Sequence, residues 1–391
     1  MSDEPTSEGP TADDAILVVA GEASGDLHAA RLIEALRTRL PESRFWGLGS
    51  DEMAEAGCEL VSDSREIAVV GISEVARILP RAWEVFQKLL AEVERRGTRV
   101  AILLDFPDFN LRLAKQLERR GVRVIYYISP QVWAWRRGRV KTIARTVERM
   151  LVLFPFEVDF YREHGVDVTH VGHPLVDEVP ERQQVWDGEP PGTLPEEAVL
   201  ALLPGSRRSE VRALLPTMLQ TAARLAAERP LRVRLVQARS VPEELFDTLL
   251  REGPEFDVER VRDDRFSAYA SAHLALCASG TATLEVGLLT TPMIVVYRLS
   301  RFSYLLGRLL VRLPHYSLVN LVLGTGAVPE RIQGESEPEI LAATARDLLG
   351  DRGAIDHMRQ ALGELRARLG RGGASERAAE AVVDLLQGDA A

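Results

Sequence analysis

The 391-residue sequence predicts an α/β protein of two Rossmann-like, doubly wound domains facing across a cleft, with a helical C-terminal tail. Three observations carry that expectation. Short apolar runs alternate with helix-length segments from end to end. The runs are rich in Ile, Val and Leu without polar alternation, as in parallel strands buried on both faces. The rhythm breaks once, in a stretch rich in Pro and Gly, and then starts again. The chain is also longer than a single hydrophobic core usually grows.

Taken in order, the acidic residues 1–14 (MSDEPTSEGPTADD) read as a disordered leader, with no apolar core for a signal peptide. Residues 15–180 form the first expected domain. Its strands are Ala15–Ala20, Arg44–Gly49, Val100–Asp105, Val122–Ile128 and Met150–Phe154, and helices Asp26–Leu40, Glu74–Arg96 and Leu111–Arg120 lie between them. Residues 181–197 read as a linker. Residues 198–335 repeat the pattern with strands Val199–Leu203, Leu231–Val236, Leu274–Ala278 and Met293–Val296, and helices Glu210–Glu228, Pro242–Arg251 and Thr281–Leu289. Residues 336–391 read as Ala/Leu/Arg-rich helices.

Composition excludes several classes. Hydrophobic residues make up 46% and charged residues 27%, the balance of a soluble globular protein. A formal net charge of −10 argues against a general nucleic-acid binder. Cys58 and Cys277 cannot staple a chain of this length, which fits a reducing compartment. No segment reads as membrane-spanning; Phe266–Leu284 is uncharged but breaks into strand, Gly turn and helix start. Between Arg119 and Arg149 there are nine Arg/Lys against Glu148 alone, which suits either an anionic surface or a solvated helix face.

Chemistry-bearing residues fall at strand ends, where open α/β sheets bind ligands. The first strand runs into Gly21-Glu22-Ala23-Ser24-Gly25-Asp26, small enough for close backbone approach and followed by an anion-favouring helix start. It is not a GxGxxG fingerprint, and a turn capped by Ser24 or Asp26 is the plainer reading. In Asp105-Phe106-Pro107-Asp108-Phe109-Asn110, Asp108 is placed to take a proton from a hydroxyl and Asn110 to cap a helix; alternatively Asp108 is itself the cap. Later, Gly205-Ser206-Arg207 offers helix-start amides and an arginine to a diphosphate. Ser279-Gly280-Thr281 repeats that turn, and Glu285 follows one helical turn on, where a carboxylate can accept from both ribose hydroxyls. A capping box on Thr281 or Ala282 is the alternative for Glu285.

Asp-x-Asp, the handle of metal-dependent sugar transfer, is absent. His170 and His173 have H-x-x-H spacing without further ligands nearby, so no metal site is expected, and His173-Pro174 reads as a hinge. No G-x-S-x-G elbow supports triad hydrolysis. Val69, Val70, Ile72, Ile78 and Leu79, around Gly71, and the band Phe302–Leu313 can pack in a core or lie at a membrane interface.

Together the motifs resemble the lipid-A-disaccharide synthase family: GEASGD (21–26), the apolar segment with Gly71, DFPDFN (105–110), YYISPQVWAW (126–135), LFPFE (153–157), VGHP (171–174), LLPGSR (202–207), ASGTATLE (278–285) and SLVNL (317–321). Val319 stands where that family typically has proline. The resemblance implies a GT-B fold and an inverting transfer without cofactor or metal, joining UDP-2,3-diacylglucosamine and 2,3-diacylglucosamine 1-phosphate through a β-(1→6) bond with release of UDP. It implies Asp108 as base, Glu22, Ser24, Gly25 and Asp26 at the acceptor, and Gly205, Ser206, Arg207, Ser279, Gly280, Thr281, Glu285 and Asn320 around UDP. It further implies a cytoplasmic protein, peripheral on the anionic inner face of the inner membrane, with no nucleic-acid partner and with a homodimer left open. The alternatives are an isomerase resembling UDP-N-acetylglucosamine 2-epimerase and a non-catalytic nucleotide- or lipid-binding protein.

Overall fold

A computed structural model describes residues 15–67, 75–133, 137–186, 197–298 and 314–387. The chain divides into two compact units. One comprises the residues up to Pro174 together with those from Arg371; the other is Leu175–Gly370.

The first unit contains a seven-stranded parallel sheet, with β1 (Ala15–Ala20), β2 (Arg44–Gly49), β3 (Glu59–Asp63), β4 (Val100–Leu104), β5 (Arg123–Tyr127), β6 (Arg149–Val152) and β7 (Val168–His170) in the order β3-β2-β1-β4-β5-β6-β7. Burial on both faces explains the unbroken apolar runs. Along β1, Leu17 and Val19 point into a core with Val85, Leu89 and Leu113, whereas Ile16, Val18 and Ala20 point into another with Leu32, Ile33 and Val382. Each of the Val, Leu and Ile side chains among these, fully buried, stabilises the fold by roughly 1.5–3 kcal/mol.

The second unit repeats the plan with six parallel strands: β8 (Ala198–Leu203), β9 (Leu231–Val236), β10 (Val258–Val261), β11 (Leu274–Ala278), β12 (Met293–Tyr297) and β13 (Glu330–Ile332), ordered β10-β9-β8-β11-β12-β13. In both sheets the order reverses beside the first strand, between β1 and β4 and between β8 and β11. A crevice opens at the carboxyl ends of strands at such a point.

Two boundaries differ from expectation. The first stretch of the first unit ends at Pro174, and the described part of the expected linker, 181–186 and 197, falls inside the second unit. Its beginning is anchored, because buried Arg182 donates to Leu289 O at 2.8 Å and to Ala270 O. The helical tail is shared. Helices Pro338–Gly350, Arg352–Gly363 and Leu365–Leu369 belong to the second unit, and Ala374–Gln387 to the first. That last helix packs on Ala23–Arg39, and Arg149 and Arg123 donate to its Ala381 and Leu385 carbonyls.

Candidate active site

At the end of β4 the chain turns without glycine. Asp105 (φ 42°) and Phe106 (φ 45°) are both left-handed, a conformation costing an L-residue about 1–2 kcal/mol. Several bonds oppose that strain. Asn110 Nδ2 donates to Leu104 O at 3.0 Å and Asp105 O at 2.9 Å, and the Tyr126 hydroxyl donates to Asp105 O. The Phe106 ring stacks on Phe109, centroids 5.3 Å apart, and lies where a Cβ on Gly21 would fall, 2.3 Å away. Gly21 therefore serves the neighbouring turn. Asn110 is not the cap expected of it, because the helix already starts at Pro107 and Asn110 reaches back from one turn inside.

This turn presents two carboxylates differently. Asp108 sits in the first turn of helix Pro107–Glu118, is 68% exposed and pairs with Arg139; it is not the N-cap, a position Phe106 holds. Asp105 is largely enclosed, and burial, followed by the nearby charge of Glu22, pushes its carboxyl up to about 6. Beyond β5, where Ile128 is also left-handed (φ 64°), Ser129 Oγ and Trp133 Nε1 donate to Glu157 Oε1 at 2.8 and 3.1 Å. Phe154 N donates to its Oε2 at 3.1 Å, and burial pushes Glu157 up to about 7. The network ties the segment leaving β5 to helix Pro155–Glu163. Its members fall in two of the family-like motifs, YYISPQVWAW and LFPFE, but nothing in either motif shows that the two meet.

The residues after β1 divide. Glu22 is exposed and is the N-cap of helix Ala23–Arg39 by position, without a side-chain bond, so neither Ser24 nor Asp26 caps it. Ser24, in the first turn of that helix, is exposed. A Cβ on Gly25 would make ordinary contact with Ala20 at 3.6 Å. Asp26 does not face an acceptor: buried, it takes Ser50 N at 2.6 Å on one oxygen and Glu52 N at 3.1 Å on the other. It holds the chain leaving β2.

In the second unit, β8 leads into Gly205 (φ 108°), Ser206 and Arg207 at the start of helix Arg208–Ala226. This anion-favouring turn carries an acid of its own. Glu210 accepts from Ser206 N at 3.3 Å and Arg207 Nη1 at 3.0 Å, and a Cβ on Gly205 would come within 2.5 Å of its Oε2. Sequence reasoning missed Glu210. After β11, Gly280 (φ 154°) has open space where a Cβ would be, with Ser279 half-buried and Thr281 exposed beside it. Glu285, 15% exposed, stands on helix Ala282–Leu288 and accepts from Arg265 Nε at 3.2 Å. Thr281 makes no side-chain cap bond. Burial raises the Glu285 carboxyl above the usual range, and Arg265 opposes it.

Asn320 does not offer its amide to a ligand as expected. It is buried, its Oδ1 accepts from Val328 N at 3.0 Å, and its Nδ2 donates to Val328 O and Glu330 Oε1, both at 2.9 Å. Glu330, also missed, further accepts from Tyr316 N at 2.9 Å and Ser317 Oγ at 2.6 Å. Asn320 thus clasps a loop.

The stretches assigned to lipid change in part. Val69, Val70, Ile72 and the band Phe302–Leu313 lie outside the described residues, as does the side chain of Ile78. Leu79 is 56% exposed, and Trp83, one turn on, is 63% exposed and stacked on Phe86. The basic stretch 119–149 is not one free surface: Arg120, Arg123, Arg139 and Arg149 pair with Glu94, Glu148, Asp108 and Asp167. Among the described residues, no helix is long and apolar enough to cross a membrane, and no group of three His, Cys, Asp or Glu is placed to hold a metal.

The two-sheet plan recurs in solved structures. MurG from Acinetobacter baumannii superposes with a TM-score of 0.55 at 15% identity, over 96% of this chain and 99% of that one. A putative UDP-N-acetylglucosamine 2-epimerase from Listeria monocytogenes gives 0.65 at 13% identity, over 97% and 98%. At such identities the likeness is one of fold, and the class it defines is that of the GT-B proteins. Sequence narrows the class. A family model described as lipid-A-disaccharide synthetase matches residues 16–383. Lipid-A-disaccharide synthases of Myxococcus xanthus and Syntrophus aciditrophicus are 47% and 43% identical, each over 95% of this chain and 97% and 98% of those proteins. The chain belongs to the lipid-A-disaccharide synthase family. The isomerase and non-catalytic alternatives are not favoured.

Proposed function

We propose that this chain joins UDP-2,3-diacylglucosamine to the 6-hydroxyl of 2,3-diacylglucosamine 1-phosphate, with Asp108 as the base and the second unit holding UDP. The match to the synthase family along residues 16–383 supports the reaction. The placement of Asp108 supports its role: it is exposed, follows a central strand, and is aimed by Arg139. In the step, Asp108 takes the hydroxyl proton and the freed oxygen bonds to the donor's C1 from the face opposite UDP. The C1–oxygen bond to diphosphate breaks, and UDP leaves with the electron pair. Arg207 and the amides at Gly205–Arg207 offset the charge on the leaving diphosphate, and Glu285 takes the ribose hydroxyls. Glu22 and Gly25 border the acceptor, whereas Asp26 and Asn320 shape their loops.

The test is to incubate the purified protein with both lipids. Equimolar disaccharide and UDP is the expected result; epimerised sugar nucleotide without disaccharide would reject the reading.

The lipids bring the protein to the cytoplasmic face of the inner membrane as a peripheral protein, with Leu79 and Trp83 as the exposed apolar contacts. It should float with anionic vesicles at low salt, and Leu79→Ser with Trp83→Ser should reduce recovery. Equal recovery of wild type and variant would remove this contact.

A further inference from the structure

Glu285 raises a question its own helix does not answer. A carboxylate 15% exposed must stay ionised and correctly turned to accept from two hydroxyls, yet its seven-residue helix Ala282–Leu288 provides no countercharge. The countercharge comes from helix Arg265–Ala270. Arg265 is the first residue of that helix, whose start is fixed by Asp264 accepting from Ser267 N at 3.3 Å. Its guanidinium lies 4.4 Å over the centre of the Phe266 ring, which holds the planar group in place, and its Nε donates to Glu285 Oε2 at 3.2 Å. Tyr269, one turn further along the same helix and buried, lies beside Glu285 and also favours its charged form. A single bond from the neighbouring helix leaves the carboxylate with unused lone pairs for a ligand.

We propose that Arg265 is a positioning residue for nucleotide binding: it holds the Glu285 carboxylate charged and turned so that its remaining lone pairs meet a ribose diol. This rests on the reading of Glu285 as the ribose ligand. Arg265 need not touch the nucleotide, and it acts through Glu285.

The charges around Glu285 make the proposal testable by pH. Burial is the largest influence raising its carboxyl; Arg265 opposes this by charge and hydrogen bond, Glu178 adds a like charge, and nearby Tyr269 lowers it. Cys277 lies close enough to interact, but burial pushes its thiol well above the range in which it would ionise. Arg265 is thus the cation in this set. Binding needs the carboxylate, so affinity is full at high pH and falls as pH drops through the Glu285 value. Without Arg265 that value rises, and the fall begins at higher pH.

UDP affinity is measured by calorimetry from pH 5 to 9 for wild type, Arg265→Ala, Arg265→Lys, Glu285→Gln and the double variant Arg265→Ala/Glu285→Gln. The terminal phosphate of UDP titrates near 6 in every case, so curves are compared with one another. Arg265→Ala should lose about tenfold at pH 6, in line with a hydrogen bond to a charged group, and only about threefold at pH 9. Arg265→Lys, which restores the charge without the fork, should recover much of the loss and guards against misfolding as the cause. In the Glu285→Gln background, Arg265→Ala should change affinity less than twofold. An Arg265→Ala curve parallel to wild type, or an equal loss in the Glu285→Gln background, overturns the proposal and leaves the nucleotide site standing. Wild type that binds no UDP at any pH, or Glu285→Gln that binds as wild type does, overturns the nucleotide reading and this proposal with it.

Discussion

β4 and β11 occupy equivalent places in their sheets, each beside the first strand where the order reverses, yet their outgoing turns are built differently. After β11 the bend falls on Gly280, whose missing side chain leaves open space. After β4 it falls on Asp105 and Phe106, both left-handed, held by Asn110 and Tyr126. A glycine turn frees backbone amides for a ligand at little strain. A turn of larger residues accepts strain, and what it gains is side chains fixed at the strand end. The difference matches the division proposed between units: backbone and ribose recognition in the second, proton transfer in the first.

The largest expected effect tests that division. Asp108→Ala should lower turnover by about 10²–10⁴-fold while UDP affinity, measured by calorimetry, stays within about twofold of wild type. A parallel loss of UDP affinity would break the separation of roles. Next comes Asp105→Gly, which gives the first turn the chemistry of the second. The Asp105 carboxyl is raised in the fold to about 6, so its favourable contribution is complete below its unfolded value near 4 and is lost as pH rises through 6. Removing it should therefore raise the unfolding free energy by about 1–3 kcal/mol at pH 8, with the gain shrinking toward pH 4. Urea titrations at the two pH values decide this, and no gain at pH 8 would mean that the turn is not strained by its carboxylate. The smallest effect concerns Glu210, which holds Ser206 N and Arg207 where diphosphate is proposed to bind. Glu210→Gln removes a competing anion and should tighten UDP about threefold, somewhat under 1 kcal/mol. Weaker binding would make Glu210 a support of the turn instead of its rival.

How far the sequence could be read follows position in the sheet. The central strands β1, β2, β4, β5, β6, β8, β9, β11 and β12 were all legible, within a residue or two, because burial on both faces leaves unbroken apolar runs. The four that escaped, β3, β7, β10 and β13, are the four sheet edges. Half-exposed edges admit polar residues, as in Glu59–Asp63 and Val258–Val261, and the signal disappears. The site divides on similar lines. Asp108 and Glu285 stood out by chain position, but Arg265 and Glu330 meet their partners through folding and carry no local motif, and Glu210, three and four residues after Arg207 and Ser206, reads as an ordinary first-turn acid of its helix. Asp26 looked like a ligand contact because it closes the glycine-containing GEASGD turn, and Asn320 because SLVNL resembles a family motif; their partners, the amides after β2 and the backbone at Val328, come from other stretches of chain.

The closing helix Ala374–Gln387 has a consequence for biosynthesis. It supplies Ala378, Ala379, Val382 and Leu386 to one face of the first unit's core, so that unit is discontinuous in the chain. At about 5–20 residues per second, the roughly 200 residues between Pro174 and the last helix take roughly 10–40 s to emerge. During that interval Ile33, Leu36 and Phe45 wait on the ribosome beneath an unsealed apolar surface, and the first unit to be synthesised is the last to be finished.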